Sequence, residues 1–249
     1  MGKLSSLIRR VAGKKRFCSA VILAAGSGTR FDQKKAKQYV KVAGVPVLVR
    51  SVLAFSESEL IHEIVVVTRK EDVPDTEVLL KEYGVAASVR VVAGGDTRRQ
   101  SAQNGFEAIS PKADFVAIHD AARCLVTPLM IEAAMEAAFV TGAAACADRT
   151  TDTLKRTNGA NIITETIDRE NVWAVQTPQI FRRDLYLTAS AMAEKDGFVG
   201  TDDCMLVERI GCSVQLVDCG RTNLKITYPE DVTVAEAILT ARKKEALSS

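Results

Sequence analysis

Apolar positions along this chain fall into short runs separated by longer stretches with one apolar side. Val21-Ile22-Leu23, Glu63 to Val67, Ser88 to Val92 and Phe115 to Ile118 are nearly continuous apolar runs, too short for helices, as in strands buried on both faces. Between them, Pro46 to Phe55 places Val47, Leu48, Val52 and Leu53 on one side. Asp75 to Tyr83 stops at Gly84, and Arg98 to Ile109 and Pro128 to Phe139 continue the alternation up to an apolar Ala143 to Ala147. Strands alternating with helices predict an α/β fold: three layers, with a mainly parallel sheet reached by right-handed crossovers. Ligands of such sheets bind at the carboxyl ends of the strands. That rule puts Ala24 to Arg30, Gly94-Gly95-Asp96 and His119 to Arg123 on one rim.

The alternation breaks between Asp148 and Asn171. This stretch is polar and threonine-rich, around an Asn158-Gly159 pair of the kind that closes tight hairpins. A hairpin with so few core residues needs something to pack on, either its own sheet or a partner subunit. Trp173 to Phe181 then returns to the body, and Arg183 to Lys195 reads as a helix. Thr201 or Asp202 is placed to cap another, Ser213 to Val217 forms a strand, and Pro229-Glu230-Asp231 opens a final amphipathic helix. The expected organisation is a body of residues 19–147 and 172–245, an arm of 148–171 and an N-terminal extension of 1–18.

Composition narrows the class. The chain has 249 residues, 47% hydrophobic and 26% charged, as in ordinary folded proteins. A net charge of +2 gives no reason to expect a nucleic-acid partner. No apolar run approaches bilayer length, so stable membrane insertion is not expected. Cys18, Cys124, Cys146, Cys204, Cys212 and Cys219 lack metal-site or disulfide-framework spacing, which points to reduced thiols and a cytoplasmic protein. With only two histidines, His62 and His119, a Cys/His metal site is not expected either. Lys3, Arg9, Arg10, Lys14, Lys15 and Arg16 make the N-terminus basic, read as a solvated extension, with a membrane-surface helix, an organelle-targeting segment or an extra helix packed on the body as alternatives.

The candidate chemistry begins where Val21-Ile22-Leu23 runs into Ala24-Ala25-Gly26-Ser27-Gly28-Thr29-Arg30. Gly26 and Gly28 let the backbone turn and approach a ligand, the loop N–H groups form an anion-binding concavity, and Arg30 and Lys37 add full charges. The loop lacks the Gly-Lys-Ser/Thr of a P-loop and the third glycine of the dinucleotide fingerprint. There is no credible Ser/His/Asp or Cys/His arrangement.

Written as L-A-A-G-x-G-x-R with Lys37-Gln38 after it, the loop resembles the signature of the sugar-nucleotide pyrophosphorylase and cytidylyltransferase superfamily. Further motifs follow in order: Gly94-Gly95-Asp96 with Ser101, His119-Asp120-Ala121-Ala122-Arg123, Asp152 to Arg156, Gln176-Thr177-Pro178-Gln179, Thr201-Asp202, and Asn223-Leu224-Lys225 to Pro229-Glu230-Asp231. Together they resemble the 2-C-methyl-D-erythritol 4-phosphate cytidylyltransferase family from Ala20 to about Leu239. The resemblance implies a Rossmann-like nucleotidyltransferase sheet with a protruding β-hairpin arm. It also implies transfer of a cytidylyl group from CTP to a polyol phosphate with release of pyrophosphate, assisted by Mg²⁺ held mainly by CTP phosphates rather than by a protein metal site.

Carried over residue by residue, Arg30, Lys37 and Lys225 are the catalytic cations. Ala24, Ala25, Gly26, Gly28, Gly95, Asp96 and Ser101 bind CTP, and Asp120, Arg123, Thr153, Arg169, Thr177 and Thr201 bind the acceptor. Thr153 and Arg169 are supplied across a homodimer interface made by the arm. His119 is expected to be structural. Cys124 stands where the family pattern carries proline, which loosens Arg123 slightly. Two other readings compete: a cytidylyltransferase for another polyol phosphate such as ribitol 5-phosphate, and a nucleotide-binding regulatory module without turnover. A scaffold docked on membranes through the basic N-terminus is a third.

Overall fold

The computed structural model describes residues 16–26, 31, 37–85 and 89–248. In chain order the elements are β1 (Cys18–Leu23), β2 (Lys41–Val42), β3 (Val45–Pro46), α1 (Val47–Ser56), β4 (Glu63–Thr68), α2 (Val73–Glu82), β5 (Val89–Ala93), α3 (Arg98–Ala108), β6 (Phe115–Asp120), α4 (Pro128–Thr141) and β7 (Ala143–Arg149). They continue with β8 (Leu154–Thr157), β9 (Ile163–Ile167), β10 (Trp173–Arg182), α5 (Arg183–Lys195), α6 (Cys204–Arg209), β11 (Gln215–Asp218) and α7 (Glu230–Ser248).

Seven strands form one sheet in the order β11-β7-β10-β6-β1-β4-β5. Only β10 runs against its neighbours. Side-chain alternation along the strands divides the core in two. Ala20, Ile22, Ile64, Val66 and Ala117 meet α1, α2 and α4 on one face, through Leu48, Phe55, Leu80, Ile131 and Met135. Val21, Val65, Val67, Val116 and Ile118 meet α3, α5 and α6 on the other, through Phe106, Tyr186 and Val207. Helix α3 lies close because Gly105 faces the sheet: a Cβ there would come within 2.4 Å of Val21 Cγ1. A smaller cluster of Val42, Val47, Cys124, Leu125, Ile226 and Ala235 ties α7 to the body.

One local expectation is revised and two are narrowed. β8 and β9 pair as a separate hairpin, but its connection is not a two-residue Asn-Gly turn. It spans Asn158 to Ile162, with Asn158 Oδ1 accepting from the Ala160 and Ile162 N–H groups and Asn161 carrying the positive φ of 60°. The Asn158 acceptor organises a wider loop, and Asn161 takes the left-handed conformation that glycine supplies in a tight turn. Asp202, not Thr201, serves the first turn of α6: its Oδ1 accepts from Met205 N–H at 3.1 Å, while the Thr201 hydroxyl faces the Met205 sulfur. Helix α7 is amphipathic only along a thin stripe, with Ala235 buried and Val232, Ile238 and Leu239 half-buried. Among the described residues, no helix is long and apolar enough to cross a membrane.

Candidate active site

The carboxyl ends of β1, β5 and β6 open into a cleft of about 360 Å³. Its wall takes Ala24, Ala25 and Gly26 from the end of β1, Gly95, Asp96 and Ser101 from the β5–α3 turn, and Asp120 with Ala121 from β6. The β5–α3 turn is tight. A Cβ on Gly94 would fall 2.7 Å from that of Ala25, and Ser101 Oγ accepts the Gly95 N–H at 3.2 Å. Thr97 caps α3 in a reciprocal box with Gln100, so the start of the helix is fixed beside the cleft.

A second cleft of about 480 Å³ lies across β6 and β10, lined by Asp120, Arg123, Thr177, Thr201 and Lys225 among others. Arg98, Asp120 and Lys225 line both clefts. That shared wall is an ion-pair chain. Lys225 Nζ donates to Asp120 Oδ2 at 2.6 Å, Arg98 Nε to Asp120 Oδ1 at 3.2 Å, and Arg98 Nη1 to Asp203 Oδ2 at 2.7 Å. Asp203 also accepts from the buried Tyr186 hydroxyl at 2.8 Å. Burial alone raises the pKa of Asp120, but Arg98 and Lys225 overcome it and hold the carboxyl well below the usual range. Asp120 is therefore ionised at every physiological pH, and its field keeps a cation seated where the clefts meet.

Thr177 is fixed from both sides. Its hydroxyl oxygen accepts the Asp120 N–H at 3.0 Å and lies 3.1 Å from His119 Nδ1, while its carbonyl accepts from Asn223 Nδ2 at 3.0 Å. The slip in register of β10 between Val175 and Gln179 is what leaves this residue free of the ladder. His119 is fully buried, packed 5.0 Å from the Phe55 ring, and burial pushes its pKa down to about 3. It is a neutral structural ring, as its chemistry implied. Arg123 Nη1 donates to the Asn223 carbonyl at 2.8 Å, and its Nε is buried with no partner among the described residues. Cys124 packs in the small α7 cluster and burial raises its thiol to about 11, so the expected loosening of Arg123 is offset by the Asn223 anchor.

The structure thus brings together Ala24, Ala25, Gly26, Gly95, Asp96, Ser101, Asp120, Arg123, Thr177, Thr201 and Lys225. Gly28, Arg30 and the side chain of Lys37 lie outside the described residues. Thr153 and Arg169 line neither cleft of their own chain. They sit at the base of the arm, where Arg169 donates to the Thr151 carbonyl. Sequence reasoning missed Arg98, Asp203 and Tyr186, because nothing in their local spacing says that they converge. Asn223 and Gln179 stand inside the motifs, but their buried hydrogen bonds to Thr177, Asp203 and Cys204 leave no local mark in the sequence. Among the described residues, no group of three or more His, Cys, Asp or Glu side chains is arranged to hold a metal ion.

A family model for 2-C-methyl-D-erythritol 4-phosphate cytidylyltransferase matches residues 18–241. A curated 2-C-methyl-D-erythritol 4-phosphate cytidylyltransferase from Caldanaerobacter subterraneus is 44% identical over 222 residues, covering 89% of this chain and 98% of that one. A protein of the same name from Geobacillus kaustophilus is 39% identical over 226 residues, 91% and 98% of the two chains. The crystal structure of 4-diphosphocytidyl-2C-methyl-D-erythritol synthase from Anaerococcus prevotii superposes with a TM-score of 0.80 at 31% identity, covering 90% of this chain and 96% of that one. The Thermus thermophilus 2-C-methyl-D-erythritol 4-phosphate cytidylyltransferase structure gives 0.75 at 31% identity, over 89% and 98%.

Proposed function

The chain belongs to the 2-C-methyl-D-erythritol 4-phosphate cytidylyltransferase family, and from that membership and the paired clefts we propose how it works. It transfers CMP from CTP to 2-C-methyl-D-erythritol 4-phosphate, releasing pyrophosphate and forming 4-diphosphocytidyl-2-C-methyl-D-erythritol for isoprenoid biosynthesis. The carrying observation is that the Lys225–Asp120–Arg98 chain forms a wall common to two clefts, so a nucleotide in one and an acceptor in the other meet at a fixed cation. The ribitol phosphate and regulatory-module readings are not favoured, since the matched relatives carry the methylerythritol activity in their names.

An acceptor phosphate has a second pKa of about 6, so at neutral pH it is already mostly the dianion. One of its oxygens attacks the α-phosphorus of CTP. A new P–O bond forms, the bond from the α-phosphorus to the β-phosphate bridging oxygen breaks, and pyrophosphate leaves with the electron pair. No proton has to be removed, so the work is positioning and charge neutralisation. Lys225, aimed by Asp120, holds the α-phosphate and the incoming phosphate. Arg30 and Lys37 meet the triphosphate and the departing pyrophosphate, while Ala24 to Gly26, Gly28, Gly95, Asp96 and Ser101 admit the nucleotide. Arg123, whose Nε has no partner among the described residues, takes acceptor phosphate charge. Asp120, with both oxygens already facing cations, accepts from acceptor hydroxyls, and Thr177 and Thr201 line the same pocket.

Among the described residues the carboxylates of the nucleotide cleft are Asp96 and Asp120, and Asp120 is already paired. Such a lining suits Mg²⁺ that arrives on triphosphate oxygens, where it supplies Lewis-acid neutralisation. Exposed Thr153 and Arg169 serve the partner's site in a homodimer joined through the arm 148–171. The body 19–147 with 172–245 catalyses in the cytoplasm, and deletion of Met1 to Arg16 leaves turnover largely intact, whereas Cys18 already belongs to β1 and to the core.

The test is pyrophosphate release with Mg²⁺ and CTP, comparing methylerythritol phosphate with ribitol phosphate. Release is expected only with methylerythritol phosphate, and Lys225→Ala lowers kcat about 10²–10³-fold. Arg169→Ala raises the acceptor KM instead. Release with ribitol phosphate alone, or with neither, overturns the assignment.

A further inference from the structure

Gln38 is 3% exposed, yet its Nε2 has no hydrogen-bond partner among the described residues. Its residue lines the nucleotide cleft. A buried amide donor left unpaired costs folding stability, and such a group in a native protein calls for an explanation. The backbone around it is well anchored, so the side chain is not simply adrift. Tyr39 next to it bonds Thr76 Oγ1 at 2.8 Å through its hydroxyl, and the Val40 carbonyl accepts the Val47 N–H at 2.9 Å. Resting on the reading that the cleft takes CTP, we propose that Gln38 is a nucleotide-binding residue whose carboxamide donates to a phosphate oxygen of the bound CTP.

The fold says which part of the nucleotide it meets. Gly95 and Ser101 belong to the α3 side of the sheet, whose core includes Ala102 and Phe106. Gln38 belongs to the α1 side, since the neighbouring Tyr39 packs with Leu48 and Val52 there. Lys225 stands on that side too, its neighbour Ile226 sharing a cluster with Val42 and Val47 of the same segment. Gln38 therefore borders the cleft from the side of Lys225, opposite Gly95 and Ser101. A neutral N–H there adds a directed contact to an oxygen without adding charge, and the orphaned donor gains a partner as the nucleotide excludes water.

The proposal separates from a structural role because the two predict opposite effects on the empty protein. Gln38→Leu removes the orphaned donor, so the ligand-free melting temperature is expected to stay level or rise. In the same variant, calorimetric titration with CTP and Mg²⁺ is expected to show affinity about 10- to 100-fold weaker, the range for a lost bond to a charged acceptor. Cytidine, which lacks phosphate, is expected to bind both proteins equally. Gln38→Glu, nearly isosteric, places a carboxylate against phosphate and weakens CTP at least as much.

A destabilised Gln38→Leu protein that retains CTP affinity overturns the proposal in favour of packing. Equal losses for cytidine and CTP overturn the phosphate assignment. If the unsubstituted protein does not bind CTP at all, the reading of the cleft fails first; if it binds and Gln38→Leu binds as well, only this inference fails.

Discussion

The rim of the sheet and the arm carry the same kind of ion pair in different surroundings. On the arm, Arg156 Nε meets Glu165 Oε2 at 2.8 Å with side chains 66% and 56% exposed. On the rim, Arg98 Nη1 meets Asp203 Oδ2 at 2.7 Å with 32% and 2% exposed. Distance does not distinguish them; solvent does. Water screens the arm pair and lets either partner rehydrate when the other is lost, whereas Asp203 and the Tyr186 hydroxyl have no water to fall back on. Energy stored in one place is thus tied to site geometry, and in the other it is spread over a surface. The arm also has no core beneath it: Ile162 and Ile163 are 62% and 59% exposed. A two-stranded hairpin of this kind gains its order from whatever it lies against.

Substitutions can break or sharpen this contrast. The largest effect is expected at Asp203→Ala, which leaves Arg98 and Tyr186 facing a buried gap and should lower unfolding free energy by about 3–5 kcal/mol in chemical denaturation. A loss below about 1 kcal/mol would mean that the rim pair behaves like the arm pair.

Next is pH. His119 has a folded pKa of about 3, below its unfolded value near 6.5, so the unfolded chain binds the extra proton between them. Stability is fully present above pH 6.5 and falls as pH drops towards 3, by about 2 kcal/mol between pH 6.5 and 5. Gln in place of His119 should flatten that part of the profile, and an unchanged slope would show that the ring is not neutral in the folded state.

A smaller effect is expected at Thr97→Ala, which removes the cap of α3 for about 1 kcal/mol and should raise the KM for CTP through the neighbouring turn. Smallest is Arg156→Ala, expected to cost about 0.2–1 kcal/mol at low salt and nothing measurable in high salt.

Much of the body was legible because its signals are local. Val21 to Leu23, Glu63 to Val67 and Phe115 to Ile118 read as buried strands and are strands. Glycine before a tight rim turn also read correctly: Gly94 has no room for a side chain. Other parts were not legible. Ala143 to Ala147 is a fully buried strand made almost entirely of alanine, a residue with low strand preference. It is a strand because β10 and β11 pair on both sides of it, and small side chains fit under α4. The antiparallel sense of β10 was equally hidden, since direction leaves no mark on an apolar run.

The sequence by itself determined the alternation of buried strands and covering helices, the glycine-bounded turns of the rim, and the ordered motifs that mark the family. These depend on hydrophobic period and backbone freedom, both of which act over a few residues. Only the tertiary structure decided that Arg98, Asp120, Asp203 and Lys225 form one chain between two clefts, and that Gln38, beside the first of them, is left with a donor that has no partner among the described residues. Electrostatic pairing and desolvation depend on distances through space between residues far apart in the chain, and no local pattern encodes those distances.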